Sequence, residues 1–293
     1  MIGKAKWVLG TANFGNKYGF ASNKKSLQAL EISNVLDKAT DAGFYGIDTA
    51  RVYGDSENII GELNNKVQGL RIMTKINPTP NSSTDEILQE IHASIEKLGR
   101  FPNVVYFHSK RNLLELSNQV MADLAELVHE AKVPFVFGSS VYEINEILEV
   151  REVHPWINVF QVPLNILSPE SDIISLKNLQ SHNLIIFIRS IFLQGILLSK
   201  PGNQKIVNAL NGEERRILED FHRKCSIQRI SPLQACINFA AFDSSAFGCV
   251  LGVSSYANLV EIVNAIEQSE PINLASWPKS KKGMFDLRQQ RFH

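Results

Sequence analysis

Cysteine is scarce in this sequence and follows no pattern. Among 293 residues only Cys225, Cys236 and Cys249 occur, an odd number with no CxxC pair. This spacing argues against a disulfide framework or a zinc site and for a reduced, intracellular chain. Each lies in an apolar neighbourhood, where a thiol behaves as a small buried hydrophobe. Net charge is missing as well. Thirty basic residues balance thirty acidic ones, so no global field draws the chain to nucleic acid. No run reaches the ~18 uncharged apolar residues of a membrane helix. Residues 1–6 lead into an apolar stretch without a cleavage signal. These absences predict a cytoplasmic location and neither nucleic acid nor membrane as partner. The sequon Asn81-Ser82-Ser83 is then a chance match.

Several motifs are missing too. No G-x-G-x-x-G follows a candidate strand, which weighs against a doubly wound dinucleotide fold. Gly10-Thr11-Ala12-Asn13-Phe14-Gly15 begins like a phosphate-binding loop, but Asn16 stands where that loop needs lysine. HExxH, GxSxG and EF-hand loops are absent. Clustered histidines and carboxylates, as a metal-dependent isomerase would carry at its strand ends, are also missing.

Apolar material is plentiful, at 44% of residues, enough for a large core. It falls in eight short runs: 7–10, 45–48, 71–75, 104–108, 133–138, 159–162, 184–188 and 249–252. Most read as continuously apolar, which suits strands buried on both faces of a parallel sheet. Amphipathic stretches lie between them, near 28–42, 56–66, 84–99, 112–131, 142–153, 172–182, 212–227, 231–242 and 256–268. Ser83 and Gly99 bracket one of these with capping chemistry, and Ser231-Pro232 opens another. Regular strand–helix alternation without a linker predicts a single-domain α/β fold over residues 1–293, a (β/α)8 TIM barrel. Few residues precede the first strand. Residues 275–293, basic from Lys279 on, are expected to form a loosely packed tail.

In such a barrel the working residues gather at the C-terminal strand ends. There this chain carries Asp48 with Tyr53 shortly after it, Lys75, and His108. A phenol has an ordinary pKa of about 10 and is a poor acid near neutrality. A neighbouring ammonium favours its phenolate form, and a carboxylate holds that ammonium charged and in place. Tyr53, Lys75 and Asp48 would then form a tuned acid or base for a carbonyl/alcohol pair. His108 would hold the carbonyl oxygen or assist the proton.

These residues resemble those of the aldo-keto reductases. Four segments carry the likeness: residues 9–15, residues 46–57 with their close match to D-T-A-x-x-Y-G-x-x-E, Thr74-Lys75, and Phe107-His108-Ser109. The resemblance implies a (β/α)8 barrel that passes a hydride between NADP or NAD and a carbonyl, here with the family's N-terminal hairpin expected to be short or absent. It also implies a catalytic tetrad of Asp48, Tyr53, Lys75 and His108.

For the cofactor the likeness points to Gly10, Thr11 and Ala12 after the first strand. It points to Ser140 and Gln161 as carboxamide partners, with Val141 where the family has Asn. The segment Arg189, Ser190, Phe192, Gln194, Gly195 looks like the loop that covers the pyrophosphate. Arg189 stands where many members stack an aromatic on the nicotinamide, and its guanidinium plane could stack there instead. Gly252, Ser254, Asn258 and Glu261 resemble the stretch that meets the adenosine, where the serines could equally be helix caps. NADPH is the family's common choice, but no Lys or Arg lies between Val253 and Ala265 to meet a 2′-phosphate. The expected partner is a small-molecule carbonyl or alcohol. A sugar or other polar carbonyl is favoured by Asn13, Arg51, Asn165 and Arg189 near the mouth. The alternative is a nucleotide-binding or regulatory protein on the same scaffold, and oligomeric state is not legible.

Overall fold

The structure, a computed structural model, describes residues 5–15, 27–200, 202–286 and 288. The chain opens with β1 (Lys6–Gly10), α1 (Ala12–Gly15), α2 (Ala29–Asp41), β2 (Gly46–Asp48), α3 (Ser56–Glu62), β3 (Arg71–Ile76) and α4 (Thr84–Leu98). The middle holds β4 (Val104–Phe107), α5 (Lys110–Leu114), α6 (Asn118–His129), β5 (Val136–Ser140), α7 (Asn145–Val153), β6 (Val159–Pro163) and α8 (Glu170–Leu179). It continues through β7 (Ile185–Arg189), α9 (Gln204–Ala209), α10 (Gly212–Gln228), α11 (Pro232–Asn238), β8 (Gly248–Gly252) and α12 (Tyr256–Glu267). The eight strands pair in parallel, each with its sequence neighbour, and β1 closes on β8. This is the (β/α)8 barrel. Residues 1–4, where any N-terminal hairpin would begin, lie outside the described residues.

Two apolar clusters build it. The larger lies between strands and helices; the smaller fills the barrel with Val8, Met73, Tyr106, Val159, Phe187 and Val250. The interior fits only because two strands carry glycine. A Cβ on Gly138 would lie 2.7 Å from the Tyr106 ring, and one on Gly248 would lie 2.8 Å from that of Phe187. Burying each large apolar side chain contributes about 1.5–3 kcal/mol.

This interior layer also positions the mouth. Strand side chains alternate between faces with a period of two. The residue two places beyond each inward one therefore faces the C-terminal opening. Gly46 is followed in this way by Asp48, Met73 by Lys75, Tyr106 by His108, Val159 by Gln161 and Phe187 by Arg189.

Local differences from expectation have physical causes. β5 starts at Val136 rather than Val133, because Pro134 has no N–H to give to a ladder. The helix expected over 112–131 is two helices, since Ser117 accepts from Val120 N and begins a new one. Ser83 caps α4 as expected, in a capping box with Glu86 that was not anticipated, and Gly99 ends the helix at φ 65°. The tail from 277 to 286 is packed rather than loose. Trp277 and Phe285 are buried, and Trp277 lies against Phe221 with ring centroids 5.8 Å apart. Ser280 N and Oγ both donate to the Leu167 carbonyl, at 2.7 and 2.8 Å. Residues 289–293 lie outside the described residues.

Candidate active site

Asp48 ends β2 and Lys75 is the last residue but one of the neighbouring β3, and both are almost fully buried. Lys75 Nζ donates to Asp48 Oδ2 at 2.6 Å and to the Thr49 carbonyl at 3.1 Å. The other Asp48 oxygen, Oδ1, accepts from Gln161 Nε2 at 2.8 Å. Burial alone would lower the lysine pKa. The Asp48 carboxylate, the nearby Tyr53 and the Asp48 hydrogen bond outweigh it and raise that pKa, with Arg189 opposing. Lys75 is thus a fixed cation in a dry setting. Its Nζ lies 5.1 Å from the centroid of the Tyr53 ring.

His108 completes the group. Its ring stands nearly perpendicular to that of Tyr53, with centroids 6.4 Å apart. Burial, then the charges of Lys75 and Arg189, push its pKa down to about 4, with Asp48 resisting. The imidazole is therefore neutral near pH 7. Its Nδ1 is buried and has no hydrogen-bond partner among the described residues. A phenol, an ammonium and a neutral imidazole so arranged can exchange a proton with an oxygen and hold it by hydrogen bonds.

Residues on either side of Tyr53 hold this geometry. Thr11 Oγ1 donates to the Asp48 carbonyl at 3.0 Å, and Ser56 Oγ to Thr11 Oγ1 at 2.8 Å. Buried Glu57 accepts from Thr74 Oγ1 at 2.6 Å. These bonds tie the loop after β2 to β1 and β3, which fixes where Tyr53 is delivered.

Two cavities meet at this group. The first, about 450 Å³, runs from Asp48 and Tyr53 to the start of α12. Gly10, Thr11, Ala12, Gln161, Arg189, Ser190, Phe192, Gln194, Gly195, Gly252, Ser254 and Asn258 all line it. Sequence reasoning missed Ile191, Leu198, Ser199, Val250 and Val253 on the same wall. The second, about 480 Å³, holds Tyr53, Lys75, His108 and Ser140 with Tyr142, Asn165 and the tail from Ser280 to Asp286. Tyr53, Gln161, Arg189, Ser190 and Gln194 line both.

Some expected residues stand elsewhere. Glu261 is exposed on α12 and lines neither cavity. Ser140 opens on the second cavity instead of the first. Arg51 is drawn off to α4, where it meets Glu90 at 3.1 Å and the Glu90 carbonyl at 2.8 Å. Ser255 is the cap of α12, accepting from Asn258 N, whereas Ser254 lines the first cavity. The guanidinium of Arg189 lies over the Tyr142 ring, 5.0 Å from its centroid, and its Nη2 donates to the Val141 carbonyl at 3.2 Å. Tyr142 belongs to the second cavity alone, so the charged end of Arg189 is turned that way.

Among the described residues no group of His, Cys, Asp and Glu could hold a metal ion, and no helix is long and apolar enough to cross a membrane. The three cysteines are free and buried.

No curated protein matches the sequence. Solved structures share the fold. One, a Pseudomonas aeruginosa protein provisionally named an aldo-keto reductase, superposes with a TM-score of 0.63 at 19% identity, over 92% of this chain and 93% of its own. A second of the same description gives 0.63 and 19% over 90% of each chain. The family model described as the aldo/keto reductase family matches residues 6–273, nearly the whole barrel. With that coverage, the chain belongs to the aldo/keto reductase family and is an oxidoreductase of that type.

Proposed function

We propose that this protein passes a hydride between a nicotinamide dinucleotide, NADP or NAD, in the first cavity and a small carbonyl or alcohol in the second. The observation that carries this reading is the place of Tyr53. It lines both cavities and lies beside the buried Lys75 cation.

The first cavity suits such a cofactor. A Cβ on Gly252 would meet nothing within 4 Å, so the end of β8 offers bare backbone to a ligand. The chain turns through left-handed conformations at Ser190, Leu193, Gln194 and Gly195. Backbone held in this way costs about 1–3 kcal/mol per non-glycine residue and concentrates at ligand clamps. Gly10, Gln161, Ser190, Gln194, Ser254 and Asn258 would hold the dinucleotide, which when bound supplies or accepts the hydride at nicotinamide C4.

The chain's own groups do the rest. Tyr53 gives its proton to the carbonyl oxygen as that oxygen gains negative charge, and takes it back in the reverse direction. Lys75, held by Asp48, stabilises the charge left on the phenol. Neutral His108 hydrogen-bonds the carbonyl oxygen without competing for the proton. Asn165, with Ser168 beside it in the second cavity, supports a polar substrate.

The test is consumption of NADH or NADPH across a panel of aldehydes, ketones and sugars. Turnover by the wild-type protein and a loss of roughly 10²–10⁴-fold in Tyr53→Phe are expected. Equal inertness of both proteins across the panel would overturn the reading. If bound NADPH were also not oxidised by an aldehyde in a single turnover, the chain would be a nucleotide-binding or regulatory protein instead.

A further inference from the structure

We propose that the carbonyl substrate carries an anionic group, a carboxylate or a phosphate, close to the reacting carbon, and that Arg189 selects it. This rests on the hydride-transfer reading above and specifies its substrate class.

The cations around the second cavity are nearly all paired with carboxylates. Lys75 is paired with Asp48 at 2.6 Å, Lys282 with Glu143 at 2.8 Å, Lys281 with Glu213 at 2.8 Å and Arg288 with Asp286 at 2.7 Å. Arg189 is the exception: among the described residues no carboxylate pairs with it. Its contacts are one hydrogen bond to the Val141 carbonyl and the face of Tyr142. A guanidinium has five N–H donors, so most remain for a ligand. Arg288 lies over the same Tyr142 ring, 4.7 Å from its centroid, and the aromatic face fixes the Arg189 plane.

A half-buried cation without a counter-ion is costly unless something anionic completes it. Its position adds direction. Arg189 ends β7 within electrostatic reach of Lys75 and His108, so an anion paired with it lies beside the reacting group. A planar fork matches carboxylate and phosphate oxygens two at a time. A neutral sugar offers no such match.

The experiment compares kcat/KM for matched pairs: succinic semialdehyde against butyraldehyde, and glyceraldehyde 3-phosphate against glyceraldehyde. In the wild-type protein the anionic member of at least one pair should be favoured by about tenfold or more. The pair that responds tells carboxylate from phosphate. The ratio should collapse toward one in Arg189→Met through a higher KM for the anion, and Arg189→Lys should restore part of it. A second measurement guards against a variant that does not fold. Butyrate should raise the melting temperature of the wild-type protein and butyramide should not, or inorganic phosphate should do so where the phosphate pair responds. Equal kcat/KM within both pairs, or a preference unchanged in Arg189→Met, would overturn the inference. Failure of every carbonyl to turn over would strike the hydride-transfer reading instead, and anion binding would then decide the role of Arg189 by itself.

Discussion

Gln161 Nε2 lies 2.8 Å from Asp48 Oδ1, joining β6 to β2 across 113 residues of sequence. A charged carboxylate only accepts, so the amide nitrogen must face it. The Gln161 carbonyl oxygen is then the atom left for a ligand, and a carboxamide N–H₂ is the group it suits. Replacing Gln161 with leucine should cost about 1–3 kcal/mol, the worth of a hydrogen bond to a buried charge. Urea denaturation measures it. A loss within error would mean that Asp48 holds its orientation through Lys75 alone.

Lys75 and Asp48 should behave as one unit. Removing either leaves the other charged and buried, at a cost of about 3–5 kcal/mol. Lys75→Met and Asp48→Asn should each destabilise strongly, while the double variant should lose less than their sum. The sign with pH follows from the raised lysine pKa. The pair's contribution is fully present below the ordinary lysine value and is lost as pH rises through the folded one. The stability gap between the wild-type protein and Asp48→Asn should therefore narrow as pH rises through the folded lysine value. Strict additivity of the two single losses would contradict the coupling.

The barrel, and the meeting of Asp48, Tyr53, Lys75 and His108 at its mouth, were legible because they rest on local signals. Buried parallel strands read as continuous apolar runs, and the residues at their ends follow directly. Asp48, Lys75 and His108 lie just past such runs and meet because the period of two turns them to the same opening. The companions of Gly10 and Ser254 on the first cavity were less legible. Leu198 and Ser199 come from irregular chain after β7, where no periodicity marks a face. Arg51 stood beside Tyr53 in sequence, yet its long side chain reached Glu90 on α4 instead of the mouth. The packing of residues 277–286 was hidden for a related reason. Its anchors, Trp277 and Phe285, are isolated apolar residues in a basic stretch, and only the groove beside α10 gives them a place.

His108 imposes a pH dependence of its own. Its folded pKa is about 4 against an ordinary value of 6.5. Between these values the unfolded chain binds the proton and the folded chain does not, so stability falls as pH drops through that window. The full effect is on the order of 3 kcal/mol. His108→Gln should flatten the fall, read from urea midpoints at several pH values. Because the imidazole stays neutral well below pH 6.5, kcat/KM should show no break near that value from this residue. Parallel stability profiles for wild-type and variant would show that His108 titrates normally.

Glu31, on α2, accepts from the backbone N–H of Tyr256 at 3.0 Å. A carboxylate therefore already sits at the start of α12, where helix N–H groups would otherwise attract an anion. Asn258 of the same helix lines the first cavity, and the likeness to the family would put the adenosine half of a dinucleotide near this stretch. No Lys or Arg occurs between Val253 and Ala265 to offset it. A 2′-phosphate placed there would meet like charge, whereas a ribose 2′-hydroxyl could donate to the carboxylate. NADH should accordingly bind more tightly than NADPH, by about tenfold, in separate fluorescence titrations. Glu31→Gln should narrow the gap chiefly by improving NADPH binding. Tighter binding of NADPH, with both affinities indifferent to Glu31→Gln, would place the 2′-position away from this carboxylate.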